Sequence, residues 1–456
     1  GQDINTSLGN AADPIDADQK LQEDALMSYV ASVNYSYDDK YYASFSFRRD
    51  GSSRLSPDTR WGNFWSLSAS WRLSQERFMQ PLKSVLSDLK LRASYGVNGN
   101  LPSSYYGYQS TYTTGAFYSG KPSLWESTLG NEELTWEKNY ALNLGLDIGL
   151  FSRVNVSLDW YTRTTKDLLM SKQLNSISGF SSLLTNVGQM RNTGVELEVR
   201  SNNIKTKDFS WITAFNLSHN KNKILKLADL PWFVDGRYVR KEGYPFNTIY
   251  LREYAGVDPE TGSALYYDNQ QDENGNYTKN KVTDPGQASP IPLKDITPTI
   301  SGGFMNTFNY KFIDLSFNLS YSFGGYSYDN ASYILQDDGY SVISNKSTEQ
   351  RRRWQKPGDI TDVPRFVYGN KKGGNYNSSR AIHSTDHIRL KSLILGLNAP
   401  KAWLQKLGIG NARIYFSGTN LLTWAAYDQY DPEMSGVVGF YTPPLKTYAF
   451  GLELKF

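Results

Sequence analysis

Cysteine is missing from all 456 residues, which removes disulfides, thiolate metal sites and cysteine nucleophiles together. Histidine is nearly missing, with only His219, His383 and His387 in the chain. No apolar run approaches the roughly 18 residues that a membrane-crossing helix needs, and mean hydropathy is -0.54. Transmembrane helices are therefore excluded. A transmembrane β-barrel is not, because its strands alternate lipid-facing and lumen-facing residues and average out in any hydropathy window. An excess of one charge is also lacking, with 48 basic against 45 acidic residues, too balanced to point to nucleic acid or an anionic membrane surface as partner. No serine–histidine–acid arrangement, phosphate-binding glycine loop or paired-carboxylate motif stands out, so no enzyme is expected.

Aromatic residues, by contrast, are abundant at 14%, with 33 Tyr and 11 Trp. Such rings suit the interfacial girdles of a membrane barrel, and equally carbohydrate stacking or a protein-binding surface. After a polar opening, residues 1–24, the period becomes two. Leu142, Leu144, Leu146, Ile148 and Leu150 alternate with Asn143, Gly145, Asp147 and Gly149, the pattern of a strand with one apolar face. The chain ends TYAFGLELKF, where Tyr448, Phe450, Leu452, Leu454 and Phe456 share one face. This last strand is either an ordinary sheet strand or one used in closing a barrel.

The remainder of the chain decides between these. It predicts about thirteen strands of roughly ten residues, a length that crosses a membrane with tilt. Short connections (38–40, 151–153, 201–207, 311–313) alternate strictly with long ones, as in an outer-membrane barrel with tight periplasmic turns and large external loops. The expected fold is an all-β transmembrane antiparallel barrel. Single-chain bacterial barrels have even strand numbers, so thirteen strands predict the carboxy-terminal portion of a larger barrel, residues 25–456, entered from an extracellular loop segment at 1–24. Unpaired edges in lipid would cost several kcal/mol per group, so an amino-terminal polypeptide is expected to supply the other strands.

Several stretches carry a closer likeness: DDKYYASFSFRRDGSSR (38–54), RWGNFWSLSASWRLSQERFM (60–79), LTWEKNYALNLGLDIGLF (134–151), SGFSSLLTNVGQMRNTGVELEV (178–199), KPGDITDVPRF (356–366), HIRLKSLILGLNAP (387–400) and SGTNLLTWAAYDQYDPE (417–433). With these the sequence resembles the SusC/RagA-type TonB-dependent transporters of Bacteroidetes outer membranes. The resemblance implies a barrel of about twenty-two strands, an amino-terminal plug, contact with the TonB complex, a SusD-like surface lipoprotein over the external loops, and a glycan or peptide oligomer as cargo. The family's plug, TonB box and first strands find no counterpart motif in these residues. Rival readings are a non-transporting adhesin or structural barrel, and a passive diffusion pore.

Three groups of residues are candidates for function. The loop aromatics Tyr105, Tyr106, Tyr108, Trp125, Trp232, Phe233, Tyr238, Tyr328 and Trp354 are expected to face cargo or the lipoprotein, or to pack among the loops themselves. Arg72, Arg92, Asp147, Glu196 and Glu198 fall on the polar face and would line a passage or, as the resemblance implies, meet a plug. The terminal-strand residues named above would serve barrel assembly in outer-membrane lipid. No metal site and no cofactor is expected: His383 and His387 with Asp386 abut a strand, where an i, i+4 pair does not converge. DNQQDENGN (268–276) has oxygens for a loop calcium ion but lacks EF-hand spacing, so an Asn274–Gly275 turn is expected there.

Overall fold

A computed structural model of the chain describes residues 21–227, 230–370, 377–400, 403–404 and 408–456. Of the expected opening loop, residues 1–20 lie outside the described residues. Thirteen strands form one antiparallel sheet in chain order. They are β1 Leu26–Tyr37, β2 Tyr41–Ser52, β3 Trp61–Arg72, β4 Leu86–Asn100, β5 Glu137–Leu150, β6 Val154–Lys166, β7 Gln189–Lys205, β8 Phe209–Lys226, β9 Ile300–Tyr310, β10 Ile313–Phe323, β11 His387–Asn398, β12 Asn411–Ala425 and β13 Thr447–Lys455.

Register keeps the two faces apart. Leu142, Leu144, Leu146 and Ile148 of β5 stand opposite Thr162, Trp160, Leu158 and Val156 of β6, which stand opposite Thr193, Val195, Leu197 and Val199 of β7. A slip of one residue would turn the whole set to the polar side, so the pattern fixes the pairing. Aromatic pairs close both ends of the apolar face: Tyr29 stacks on Trp61 at 6.1 Å near one rim, and Tyr41 on Trp71 at 6.2 Å near the other. Among the described residues, the outer edges of β1 and β13 have no strand partner.

The connections sort to two rims. Residues 38–40, 151–153, 206–208 and 311–312 make tight turns at one rim, helped by left-handed backbone at Asp38, Asp39, Phe151, Ser152 and Lys311, with φ from 52° to 54°. Residues 53–60, 101–136, 167–188, 227–299, 324–386 and 426–446 lie at the other. Two sequence expectations change. The alternation of length is not strict, because 73–85 on the short-turn rim holds two 3₁₀ turns, Leu73–Gln75 and Arg77–Leu82, and outgrows 53–60. The turn expected at 201–207 narrows to 206–208, since β7 continues through a bulge at Asn202/Ile204.

The outer loops carry their own small sheets. Residues 220–296 contain the end of β8, a four-stranded sheet (232–235, 238–241, 248–251, 291–295) and a three-stranded one (254–257, 264–267, 281–282). The expected Asn274–Gly275 turn is present, with Gly275 at φ 79° inside an antiparallel bridge between Gln271 and Tyr277. A third sheet joins two loops: Tyr326–Asp329 pairs antiparallel with Ile382–Ser384 and parallel with Gly436–Val438.

Candidate functional site

On the polar face, cross-strand rows assemble residues that lie far apart in sequence. One row runs Arg72, Lys90, Asp147, Ser157, Glu198 across β3 to β7, and the next runs Ser70, Arg92, Gly145, Asp159, Glu196. All five predicted polar-face residues therefore share one face. Arg92 donates from Nε to Asp147 at 2.8 Å and from Nη1 to Asp159 at 2.9 Å. It reaches β6 by lying across Gly145, where a Cβ would come within 2.5 Å of the guanidinium carbon. Arg72 bridges Asp88 and Asp39, each at 2.9 Å, and Ser74 also donates to Asp88 at 2.6 Å. Arg72, Arg92 and Asp147 thus each have an oppositely charged partner within the wall or its short turns. Among the described residues, no cation lies within 4.0 Å of Glu196 or Glu198. A groove of about 510 Å3 runs along this face between Arg72, Asp88, Lys90, Glu198 and Arg200.

The predicted loop aromatics divide. Tyr328 is 1% exposed; it donates to Asn377 at 2.7 Å and lies under the Arg237 guanidinium at 4.5 Å. This corrects the expectation that it meets a cargo, because its ring fills the core that Ile249, Leu251 and Ala381 build between two loops, with Tyr238 against the same cluster. Phe233 packs on a cluster around Ile224, and Tyr108 on one around Leu134 and Trp136. Trp354 covers Gly262 and donates to the Pro259 carbonyl at 2.8 Å. Tyr105 lies 4.1 Å under Arg54. Tyr106, Trp125 and Trp232 keep exposed rings.

A further site escaped the sequence reading. Between loops 324–386 and 426–446 is a cavity of about 560 Å3 lined by Asp329, Arg389, Tyr430, Asp431 and Tyr441 among others. Arg389 is 3% exposed and pairs with Asp431 and Glu433, each at 2.8 Å, while Lys391 reaches Glu433 at 2.6 Å. His383 stacks on Tyr427 with ring centroids 3.7 Å apart and planes 2° apart. Burial holds the His383 imidazole below its ordinary range, opposed by Asp329. Tyr427 donates to Asp329 at 3.0 Å, and Tyr430 pairs with Ser327. The clue in the sequence was HIRLK and, one strand later, DQYDPE: Arg389 and Lys391 against a loop with three carboxylates, Asp428, Asp431 and Glu433.

His383 and His387 do not converge, since His387 Nδ1 lies 2.8 Å from the Thr385 carbonyl while His383 is under Tyr427. In the 268–276 turn, Asp272 accepts from the Asn274 and Asn276 amides, and Asp268 from Thr278 and Asn280. Both carboxylates are thus engaged by the turn's own donors.

Comparison with known proteins follows the same lines. A family model described as TonB dependent receptor-like, β-barrel, matches residues 2–249. TonB-dependent receptor P3 of Formosa agariphila is 33% identical, over 96% of this chain and 46% of that protein. TonB-dependent receptor SusC of Bacteroides thetaiotaomicron is 31% identical, over 96% and 45%. A solved chain described as the RagAB peptide transporter superposes with a TM-score of 0.88 at 31% identity, covering 100% of this chain and 50% of that one. The chain spans about half the length of the curated relatives it matches.

Proposed function

The chain belongs to the TonB-dependent receptor β-barrel family of the bacterial outer membrane, and from that premise we propose that it is the carboxy-terminal barrel portion of an importer of oligomeric nutrients. The observation that carries this reading is the likeness to the RagAB chain, with a TM-score of 0.88 at 31% identity. Its relatives are receptors rather than enzymes, and the reading needs no cofactor. The apolar face of the sheet meets lipid, and its polar face lines the lumen. Glu196 and Glu198, with no cation within 4.0 Å among the described residues, are the groups suited to a plug. An amino-terminal polypeptide carries that plug, the TonB-contacting segment and the strands that close the edges of β1 and β13, because unpaired edge groups in lipid cost several kcal/mol each.

At the outer rim, a SusD-like lipoprotein closes over the loops and cargo is held between them. The exposed rings of Tyr106, Trp125 and Trp232, together with the Tyr430 and Tyr441 cavity, offer stacking surfaces that suit a peptide or a glycan. The neighbour described as a peptide transporter supports the peptide class. Force on the plug then opens the lumen.

Peptide mapping and intact-mass analysis of the complex from its native outer membrane test the reading. A plug-bearing segment and a lipoprotein travelling with these residues are expected, and finding neither overturns it. Planar-bilayer conductance separates the rivals, since a plugged importer stays nearly closed whereas a passive pore conducts at once. Titration of the complex with peptide and glycan oligomers assigns the cargo, and no binding of either favours an adhesin.

A further inference from the structure

The near balance of charge over the whole chain conceals a local excess on the apolar face. Lys138, Lys166, Arg191, Lys221 and Lys223 lie on that face of β5 to β8, at their outer ends. Register brings them together: Lys138 stands opposite Lys166, Arg191 opposite both Thr164 and Lys223, and Lys221 opposite Thr193. Side-chain contacts agree with the register. Lys166 Nζ lies 4.8 Å over the Tyr140 ring, and Arg191 donates from Nε to Thr164 at 3.2 Å. Lys166, Arg191, Lys221 and Lys223 are exposed. Among the described residues, the carboxylate within 4.0 Å of any of the five is Asp167, at 3.9 Å from Lys138.

Two of these contacts are like-charge pairs directly across a ladder, an arrangement that destabilises a sheet unless an anion lies between. Height supplies the second argument. Each cation lies about twelve to fourteen residues along its strand from the short-turn rim. At ~3.3 Å per residue and ~40° of tilt, that is about 30–35 Å. The apolar band of a barrel is about 25 Å tall, and here it ends in Leu142, Leu144, Trp160 and Val195. The cations therefore begin directly above the hydrocarbon, on the side of the outer leaflet.

We infer that this face binds the phosphate of a phosphorylated glycolipid of the outer leaflet, with Lys138, Lys166, Arg191 and Lys223 around the phosphate and Lys221 at the edge of the acyl chains. The inference rests on the outer-membrane assignment and not on any cargo. Lipid binding read below does not depend on transport, so its failure leaves the importer reading in place.

The test uses the full-length transporter in nanodiscs, with binding measured to purified lipid A and to the same lipid A after its phosphate is removed. Wild-type protein is expected to prefer the phosphorylated form, with the preference falling as salt is raised. Each juxtamembrane cation is worth about a factor of five, so Lys166→Gln, Arg191→Gln and Lys223→Gln combined should weaken binding roughly a hundredfold. A Lys166→Arg, Lys223→Arg variant should keep it. Free inorganic phosphate at the same concentration should neither bind measurably nor compete, which ties recognition to the lipid. Equal binding of the two lipids by the wild type overturns the inference without any variant, and so does a triple variant that folds and binds as the wild type does.

Discussion

Ile249, Leu251, Tyr328 and Ala381 in the outer loops are no more than 7% exposed, whereas Phe45, Leu67, Leu144 and Leu452 in the strands are 45% to 62% exposed. The same residue types thus meet two opposite fates in one chain. Among the described residues, every buried apolar side chain except Leu404 lies in an outer loop or at the outer end of a strand. The loops hide apolar surface from water and behave as a water-soluble domain does. The wall hides none, and is held by ladder hydrogen bonds that lipid strengthens and by a solvent that is itself apolar.

The largest effect that would break this contrast is expected at Tyr328. Tyr328→Ala should cost the loop core about 3–5 kcal/mol, read as faster amide exchange in 248–251, 326–329 and 377–384. Exchange in β5 to β8 should not change, and if wall and loops loosen together the two regions are one cooperative unit. Arg389→Met should cost about 3 kcal/mol or more, because it leaves Asp431, itself 6% exposed, buried without its cation. Limited proteolysis should then cut within 426–446 first.

The wall has its own test, sharper for using neighbours. Leu144→Arg, toward the outer end of the apolar band, should cost about 1–2 kcal/mol, whereas Asn143→Arg, one residue away on the polar face, should cost less. Heat-modifiable gel mobility of the full-length protein in lipid reads both, and equal losses would overturn the assignment of the faces. The smallest effect is that of pH. His383 is buried neutral, so its folded pKa lies below the unfolded value of about 6.5. The unfolded loop then binds more protons as pH falls through 6.5, and loop stability should drop in that window and be flat above it. His383→Phe should flatten the slope while keeping a ring against Tyr427.

How legible each region was follows from the same contrast. In β5 the alternation of Leu142, Leu144 and Leu146 with Asn143, Gly145 and Asp147 needed no tertiary information, because lipid and lumen sort side chains residue by residue. The loops offered no such rule. Tyr328 and Tyr106 look alike in sequence, and only packing across 227–299 and 324–386 decides that one is buried and the other exposed. Arg92 was legible as a polar-face residue, but its partners Asp147 and Asp159 were not, since the pairing depends on Gly145 leaving room between them. The Arg389 cluster was lost for a similar reason: its carboxylates come from a loop separated from it by a whole strand.

The short parallel pairing of Ser327–Asp329 with Gly436–Val438 has a consequence for recognition. Loops from two different hairpins, which independently would each sample many arrangements, are fixed to one another before any ligand arrives. The conformational entropy of ordering them is spent during folding, so any ligand that entered the Tyr430 and Tyr441 cavity would be spared most of that loss.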